Sequence, residues 1–239
     1  MPKYKNIVIL TGAGISAESG LATFRASNGL WNNHKVDDVA TIEGFVRNPD
    51  YVHDFYNELK KELQKAKPND AHLAITKLQQ NYPANIYVVT QNVDTLHEKA
   101  KNDNVYHIHG VINQAVCQNC GHILETFSDV TTETVCSNCN VAGMMKPNIV
   151  FFGENLLFMD EVDCFLRKCD LFVSVGTSGV VFPAASFVQT AKYYGASTIE
   201  FNLEATSNNL YFDKHVIGKA GVTLPAFVDN LIASINENE

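Results

Sequence analysis

Four of the six cysteines stand as Cys117-x2-Cys120 and Cys136-x2-Cys139, with the fifteen residues from Gly121 to Val135 between the two pairs. Two short knuckles that each present a pair of thiols complete a tetrahedral four-thiolate shell around one Zn²⁺, leaving no vacancy for water or substrate. Such a site holds structure together, so any chemistry has to lie elsewhere. Zinc supplies on the order of 10 kcal/mol of folding free energy to a small module, enough to shape a segment of mostly polar residues. Two disulfides or unpaired thiols are the competing assignment; spacing and context favour the metal.

The chain has 239 residues, 46% of them apolar, enough for one sizeable core and a small satellite domain. The longest apolar runs, such as Ile7 to Leu10 and Ile149 to Phe152, are far too short to span a bilayer, and the start carries no signal-peptide apolar region. The expected address is the cytosol, with no membrane partner. A formal net charge of −8 argues against direct binding of a nucleic-acid backbone.

Outside the cysteine segment, short β-branched runs alternate with helical periodicity, which predicts an α/β fold built on a mainly parallel sheet. Four of the runs end in polar or glycine residues. Asn6 to Leu10 leads into Thr11-Gly-Ala-Gly14, and Ile86 to Val89 into Thr90-Gln-Asn-Val-Asp94. Leu171 to Val175 leads into Gly176-Thr-Ser178, and Ser197 to Phe201 into Asn202-Leu-Glu204. In an open parallel sheet those C-terminal ends line one crevice, where ligands bind.

The first of these turns, Gly12-x-Gly14-x-x-Ala17, has the form of a dinucleotide-binding fingerprint: glycines admit a pyrophosphate and the next helix turns its N–H groups toward the charge. A tight strand-to-helix turn is the plainer reading, because no second strand ending in an acid follows about twenty residues later. Ser19 to Trp31 reads instead as a polar loop that covers a bound dinucleotide, and Asn202 and Glu204 are better placed to grip a ribose. In His107-Ile-His109-Gly110 the turn at Gly110 is expected to send His109 into the crevice and leave His107 behind. An imidazole beside a nucleotide is a candidate general base; a hydrogen-bonded structural histidine is the plainer alternative.

Taken in order, Gly12 to Gly20, Thr23-Phe-Arg25, Gly29-Leu-Trp31, Gln91 to Asp94, His109-Gly110, the four cysteines, Phe152-Gly-Glu154, Gly176 to Ser178 and Asn202 to Glu204 resemble the sirtuins, NAD-dependent protein lysine deacylases, and most closely the bacterial class III members. The resemblance runs through nearly the whole chain. It implies a Rossmann-like NAD domain (residues 1–26, 67–110 and 148–239) and a smaller domain made of a helical module (27–66) and a zinc module (111–147).

By the same resemblance, Gly12, Ala13, Gly14, Ser16, Glu18, Thr23, Phe24, Arg25 and Trp31 belong to the NAD loop. Gln91, Asn92, Val93 and Asp94 hold the nicotinamide end, and Gly176, Thr177 and Ser178 approach phosphate or ribose. Asn202, Leu203, Glu204 and Ala220 surround the adenosine. His109, with Asn92 and Asp94, carries the catalysis, taking a proton from a ribose hydroxyl so that lysine and 2'-O-acyl-ADP-ribose are released. NAD is thus a co-substrate, and the partner is an acyl-lysine protein or peptide, laid as an added strand between Ile149–Gly153, including Val150, Phe152 and Gly153, and Ser178–Phe182.

The helix opening at Asn48-Pro49 sets Val52, Phe55, Tyr56, Leu59 and Leu63 on one face. Relatives that remove succinyl groups place a Tyr and an Arg three apart there; this chain has Tyr56 and Leu59, and leucine cannot grip a carboxylate. Acetyl or longer neutral acyl groups are therefore expected over succinyl, unless both residues are simply core. A mono-ADP-ribosyltransferase and a non-catalytic NAD-sensing module are the alternative functions.

Overall fold

The computed structural model describes residues 2–23, 30–31, 34–206 and 209–236. The chain opens with strand β1 (Asn6–Thr11) and a short helix α1 (Ala13–Ser16), then a two-stranded hairpin, β2 (Leu30–Trp31) and β3 (His34–Lys35). Helices α2 (Val36–Val39), α3 (Ile42–Arg47), α4 (Pro49–Lys65) and α5 (Asp70–Asn81) precede β4 (Asn85–Thr90), α6 (Leu96–Lys99) and β5 (Val105–His107). A three-stranded antiparallel sheet of β6 (Gly110–Cys117), β7 (Ile123–Glu125) and β8 (Met145–Ile149) comes next. The chain closes with α7 (Met159–Lys168), β9 (Leu171–Val175), α8 (Phe187–Tyr193), β10 (Ser197–Asn202), β11 (Lys214–Ile217) and α9 (Ala220–Asn236).

Six strands form one parallel sheet in the order β11-β10-β9-β1-β4-β5. The chain winds from β1 outward through β4 and β5, then returns to β9 on the other side of β1 and proceeds to β11. The reversal falls between β1 and β9, and a switch of that kind opens a crevice at the strands' carboxyl ends. Successive side chains of a strand face opposite layers. Ile7 and Ile9 accordingly pack with α5 and α9 residues such as Ile75 and Val228, while Val8 and Leu10 pack with α7 and α8 residues such as Leu166 and Phe187. Burial on both faces explains why these strands read as continuous apolar runs.

Two smaller cores sit beside the sheet. In one, α4 lays Val52, Phe55, Tyr56, Leu59 and Leu63 against Ile112, Ile149 and Phe151, as the apolar face of that helix predicts. Asn48 caps the helix, accepting the Tyr51 N–H at 3.2 Å, and Pro49 begins it without needing a partner. The other gathers Cys117, Cys136, Ala115, Val130 and Met145. Asn57 joins the two, exchanging hydrogen bonds with both the carbonyl and the N–H of Val130.

Two local expectations differ from the structure. Pro225 reads as the start of the closing helix, yet α9 begins at Ala220 with Pro225 inside it. The Glu18 carboxylate accepts the Gly221 N–H at 2.6 Å and so supplies, from far away in sequence, the partner that a helix start needs. Ser178–Phe182 is no strand: Gly179 adopts φ +69° and turns the segment away from an extended course. No helix among the described residues is long and apolar enough to cross a membrane.

Candidate active site

A cavity of about 760 Å³ lies at the switch point, with β1, β4, β9 and β10 all delivering their carboxyl ends to it. Gly12, Ala13, Gly14 and Ser16 form its floor. The Gly12 N–H donates to the Val175 carbonyl at 3.1 Å and that of Gly14 to the Gly176 carbonyl at 2.8 Å, stitching the β1 turn directly onto the β9 turn. A Cβ on Gly176 would sit 2.4 Å from the Ile15 nitrogen, and its φ of +63° is left-handed; only glycine meets both conditions. Thr177 and Ser178 continue that wall, Asn202, Leu203 and Glu204 form the next, and Ala220 closes the far end. The Asn202 amide ties two walls together by donating to the Thr177 carbonyl at 2.7 Å.

Gln91, Asn92, Val93 and Asp94 enter from the end of β4. Asn92 Nδ2 donates to the Gly12 carbonyl and to Ser16 Oγ, both at 3.1 Å, and Ser16 Oγ donates to Asp94 Oδ2 at 2.9 Å. The other Asp94 oxygen accepts the Leu96 N–H at 3.0 Å. All three side chains are buried, so a buried polar cluster with internally matched donors and acceptors stands at one end of the floor.

His109 lines the same cavity while His107 does not, as the turn predicts. Gly110 has φ +84°, and a Cβ there would fall 1.9 Å from the Asn148 carbonyl oxygen, which forces glycine and the sharp turn together. His109 Nδ1 lies 2.8 Å from the Gln91 carbonyl; a carbonyl only accepts, so Nδ1 carries the proton and Nε2 is left as the basic nitrogen. Burial pulls the His109 pKa below the usual histidine value, against the opposing effect of the Gln91 carbonyl. His107 bonds the Asn92 carbonyl at 2.9 Å and Glu98 at 2.8 Å. Burial works to lower its pKa as well, but the Glu98 carboxylate outweighs it and the net shift is upward.

A second arm of the cavity is apolar. Leu59 and Leu63 of α4 face Ile149, Phe151, Trp31 and Ala40 across it. Val150, Phe152 and Gly153 rim the arm, and Thr23 stands where the first loop begins. Tyr56 does not line the cavity: it is stacked behind on Phe151, ring centroids 5.9 Å apart, and its buried hydroxyl has no hydrogen-bond partner among the described residues. Glu18 also stands outside the lining, at the start of α9. Phe24 and Arg25 lie outside the described residues. Leu63, Phe151 and Glu154 line the cavity without having been singled out as site residues; for Leu63 the signal was present, one helical turn beyond Leu59.

The four cysteines converge away from this cavity. Their sulfurs all lie within 4.8 Å of one another, the closest pairs being Cys117–Cys139 and Cys120–Cys136 at 3.7 Å, and none is in a disulfide. Each knuckle closes in the same way. The residue after its second cysteine, Gly121 or Asn140, adopts positive φ and donates its N–H back to the first cysteine's carbonyl. Four soft thiolates in a compact cluster fit one structural Zn²⁺ and offer no open position for catalysis.

A parallel sheet with a glycine-floored crevice at its switch point, and a four-cysteine module beside it, defines a dinucleotide-binding α/β protein with a metal-stabilised insertion. The Sir2 family model matches residues 12–183. An NAD-dependent protein deacylase of Vibrio parahaemolyticus is 49% identical over 232 residues, covering 96% of each chain. NAD-dependent protein deacylase SIR2rp3 of Leishmania major is 48% identical, covering 95% of each. Among solved structures, a mutant Sir2 homologue in complex with ADP-ribose superimposes with a TM-score of 0.90 at 33% identity, over 98% of this chain and 94% of that one. A Sir2 homologue bound to NAD gives 0.89 at 34% identity, over 98% and 91%. Sir2Af2 bound to a myristoylated histone peptide gives 0.76 at 33%, over 99% and 94%. The chain belongs to the Sir2 family.

Proposed function

We propose that this protein is an NAD-dependent protein lysine deacylase of the cytoplasm, its NAD domain formed by residues 1–26, 67–110 and 148–239 and its small domain by 27–66 and 111–147. The observation that carries the reading is a single cavity in which a dinucleotide cradle, a buried Ser16–Asn92–Asp94 cluster and an apolar arm meet, with His109 on its wall. NAD supplies an activated ribose, which exchanges nicotinamide for the acyl oxygen, and with one water the lysine amine is released and the acyl group ends on ADP-ribose.

The chain's own residues have three tasks. The glycine turns and the Asn202 wall hold the nucleotide, and Asn92 with Asp94 grips the nicotinamide end and orients it for departure. The enclosed, preorganised surroundings stabilise positive charge as it develops on the sugar. His109, with Nδ1 fixed as a donor, accepts a ribose hydroxyl proton at Nε2, and its lowered pKa keeps that nitrogen free at neutral pH. The acyl-lysine enters along Val150–Gly153 and places its acyl chain in the arm between Leu59 and Phe151.

That arm supports neutral acyl groups over acidic ones, because Leu59 offers no charge and Tyr56 is turned behind it. Loss of one charge-assisted bond is worth about 1.5 to 3 kcal/mol, or roughly 10- to 150-fold in discrimination. Acetyl, succinyl and myristoyl versions of one peptide, each incubated with NAD and followed by mass spectrometry, test both levels. The expected product is acyl-ADP-ribose from acetyl and myristoyl peptides. ADP-ribosylated protein or unchanged reactants would reject the deacylase, and a dominant succinyl rate would reject the acyl assignment alone.

A further inference from the structure

We propose that Glu200 is a positioning residue for the dinucleotide, acting through Thr206 to latch the loop that borders the adenosine end of the cavity; the inference rests on the NAD assignment above. Glu200 stands in the interior of β10, opposite Ser174 of β9 and His215 of β11, and is 1% exposed. Its chain neighbours Ile199 and Phe201 are core residues, and a β-branched apolar side chain would serve a central strand at that position. Burying a carboxylate there is strongly unfavourable unless donors surround it, so what the carboxylate holds explains why it is there.

It holds two things. Thr206 Oγ1 donates to Oε1 at 2.6 Å, and His215 Nδ1 lies 3.0 Å from Oε2. The histidine comes from the neighbouring strand and fixes the direction of the carboxylate. The threonine belongs to the segment Leu203–Thr206, all four residues of which line the cavity. At its near end this segment is set by Asn202, whose Oδ1 accepts the Leu203 N–H at 2.9 Å while Nδ2 donates to the Thr177 carbonyl. At its far end, among the described residues, the Asn209 N–H donates to the Thr206 carbonyl at 3.1 Å and the Thr206 hydroxyl supplies the side-chain anchor by donating to Glu200. Cutting that bond detaches the far end from the sheet and leaves it to the local backbone bond with Asn209, and ligand binding must then meet more of the cost of ordering the wall.

The test uses the full-length protein with Thr206→Val, isosteric but unable to donate, Thr206→Ser, which restores the hydroxyl, and Glu200→Gln. ADP-ribose affinity is measured by calorimetry, and KM for NAD and kcat at saturating acetyl-peptide. Thr206→Val is expected to weaken ADP-ribose binding and raise KM for NAD about tenfold, the size of one charge-assisted bond, with kcat within about twofold and a melting temperature lowered by a few degrees as Glu200 loses a donor. Thr206→Ser is expected to return both to within about twofold of wild type, and Glu200→Gln to fall between. Wild-type affinity in Thr206→Val, or a fall in kcat at constant KM, would overturn the latch while leaving the NAD reading intact. Failure of the wild-type protein to bind ADP-ribose would overturn both.

Discussion

Replacing Lys146 with methionine probes how the rim of the acyl arm is held. The ammonium is 3% exposed; it donates to the Ile149 carbonyl and to Glu154 Oε2, both at 2.8 Å, and sits 3.9 Å above the Phe151 ring. Glu154 Oε2 also accepts the Phe151 N–H at 2.7 Å, so one ion pair satisfies the turn from Ile149 to Glu154 from within. Methionine keeps most of the packing and removes the charge. The Ile149 carbonyl then loses its partner, at about 1 kcal/mol, and the cation–π contact is worth about another 1. The carboxylate is stranded only in part, because 31% of its side chain reaches solvent; about 1 to 2 kcal/mol covers it. The sum is about 3 to 4 kcal/mol, or a urea midpoint lowered by more than about 1 M at a slope near 3 kcal/mol/M. A double-mutant cycle with Glu154→Gln should give a coupling of at least about 1 kcal/mol. Lys146→Met should also raise KM for the acyl-peptide more than it lowers kcat, because Val150 and Phe152 belong to the same turn. A stability loss below about 1 kcal/mol, or a coupling of zero, would refute the clamp.

Three shorter predictions concern other parts of the molecule. His109→Ala should slow single-turnover deacylation by about 10²-fold or more while calorimetric binding of ADP-ribose stays within about twofold. His72 and His97 are fully buried with their rings 5.0 Å apart; burial first, and its neighbour second, pulls His72 down to about 3, and burial also lowers His97. The unfolded chain therefore binds more protons below pH 6.5, and stability should fall as the pH drops from 6.5 toward 3, by about 2 kcal/mol at pH 5 from His72, with His97 adding in the same direction; denaturant midpoints in a pH series, compared with His72→Gln, measure it. Metal analysis should find one zinc per chain, and Cys136→Ser should release it and open residues 111–147 to proteolysis before the parallel sheet unfolds.

The parallel sheet was legible because buried strands leave apolar runs, and because chemistry at their carboxyl ends has to be polar or glycine. Asn6–Thr11 and Leu171–Val175 carry both signals in the chain itself. The His109 turn was legible because Gly110 can take a φ that its neighbours would resist. Long-range partners were not. Nothing near Glu18 announces that it meets the start of α9, and nothing near Pro225 indicates that the helix begins five residues earlier. Periodicity failed in a more instructive way at α4. Tyr56 and Leu59 do share one apolar face, but three residues advance a helix by 300° rather than a full turn. That 60° offset is enough to set Leu59 on the cavity wall and Tyr56 behind Phe151.

The charges around the cavity show why such distant partners matter to its chemistry. Asp94 is engaged by Ser16 and the Leu96 N–H, Glu154 by Lys146 and the Phe151 N–H, and Glu200 by Thr206 and His215. Each of these three carboxylates takes at least one donor from another element, which fixes its direction and limits its repulsion of an anionic ligand. No lysine or arginine appears among the described residues that line the cavity. The imidazole of His109 faces few competing charges, and burial, more than any neighbouring ion, sets its basicity. An imidazole tuned by desolvation stays unprotonated at neutral pH without a carboxylate beside it, and under the proposed function a carboxylate there would repel the phosphates of the dinucleotide.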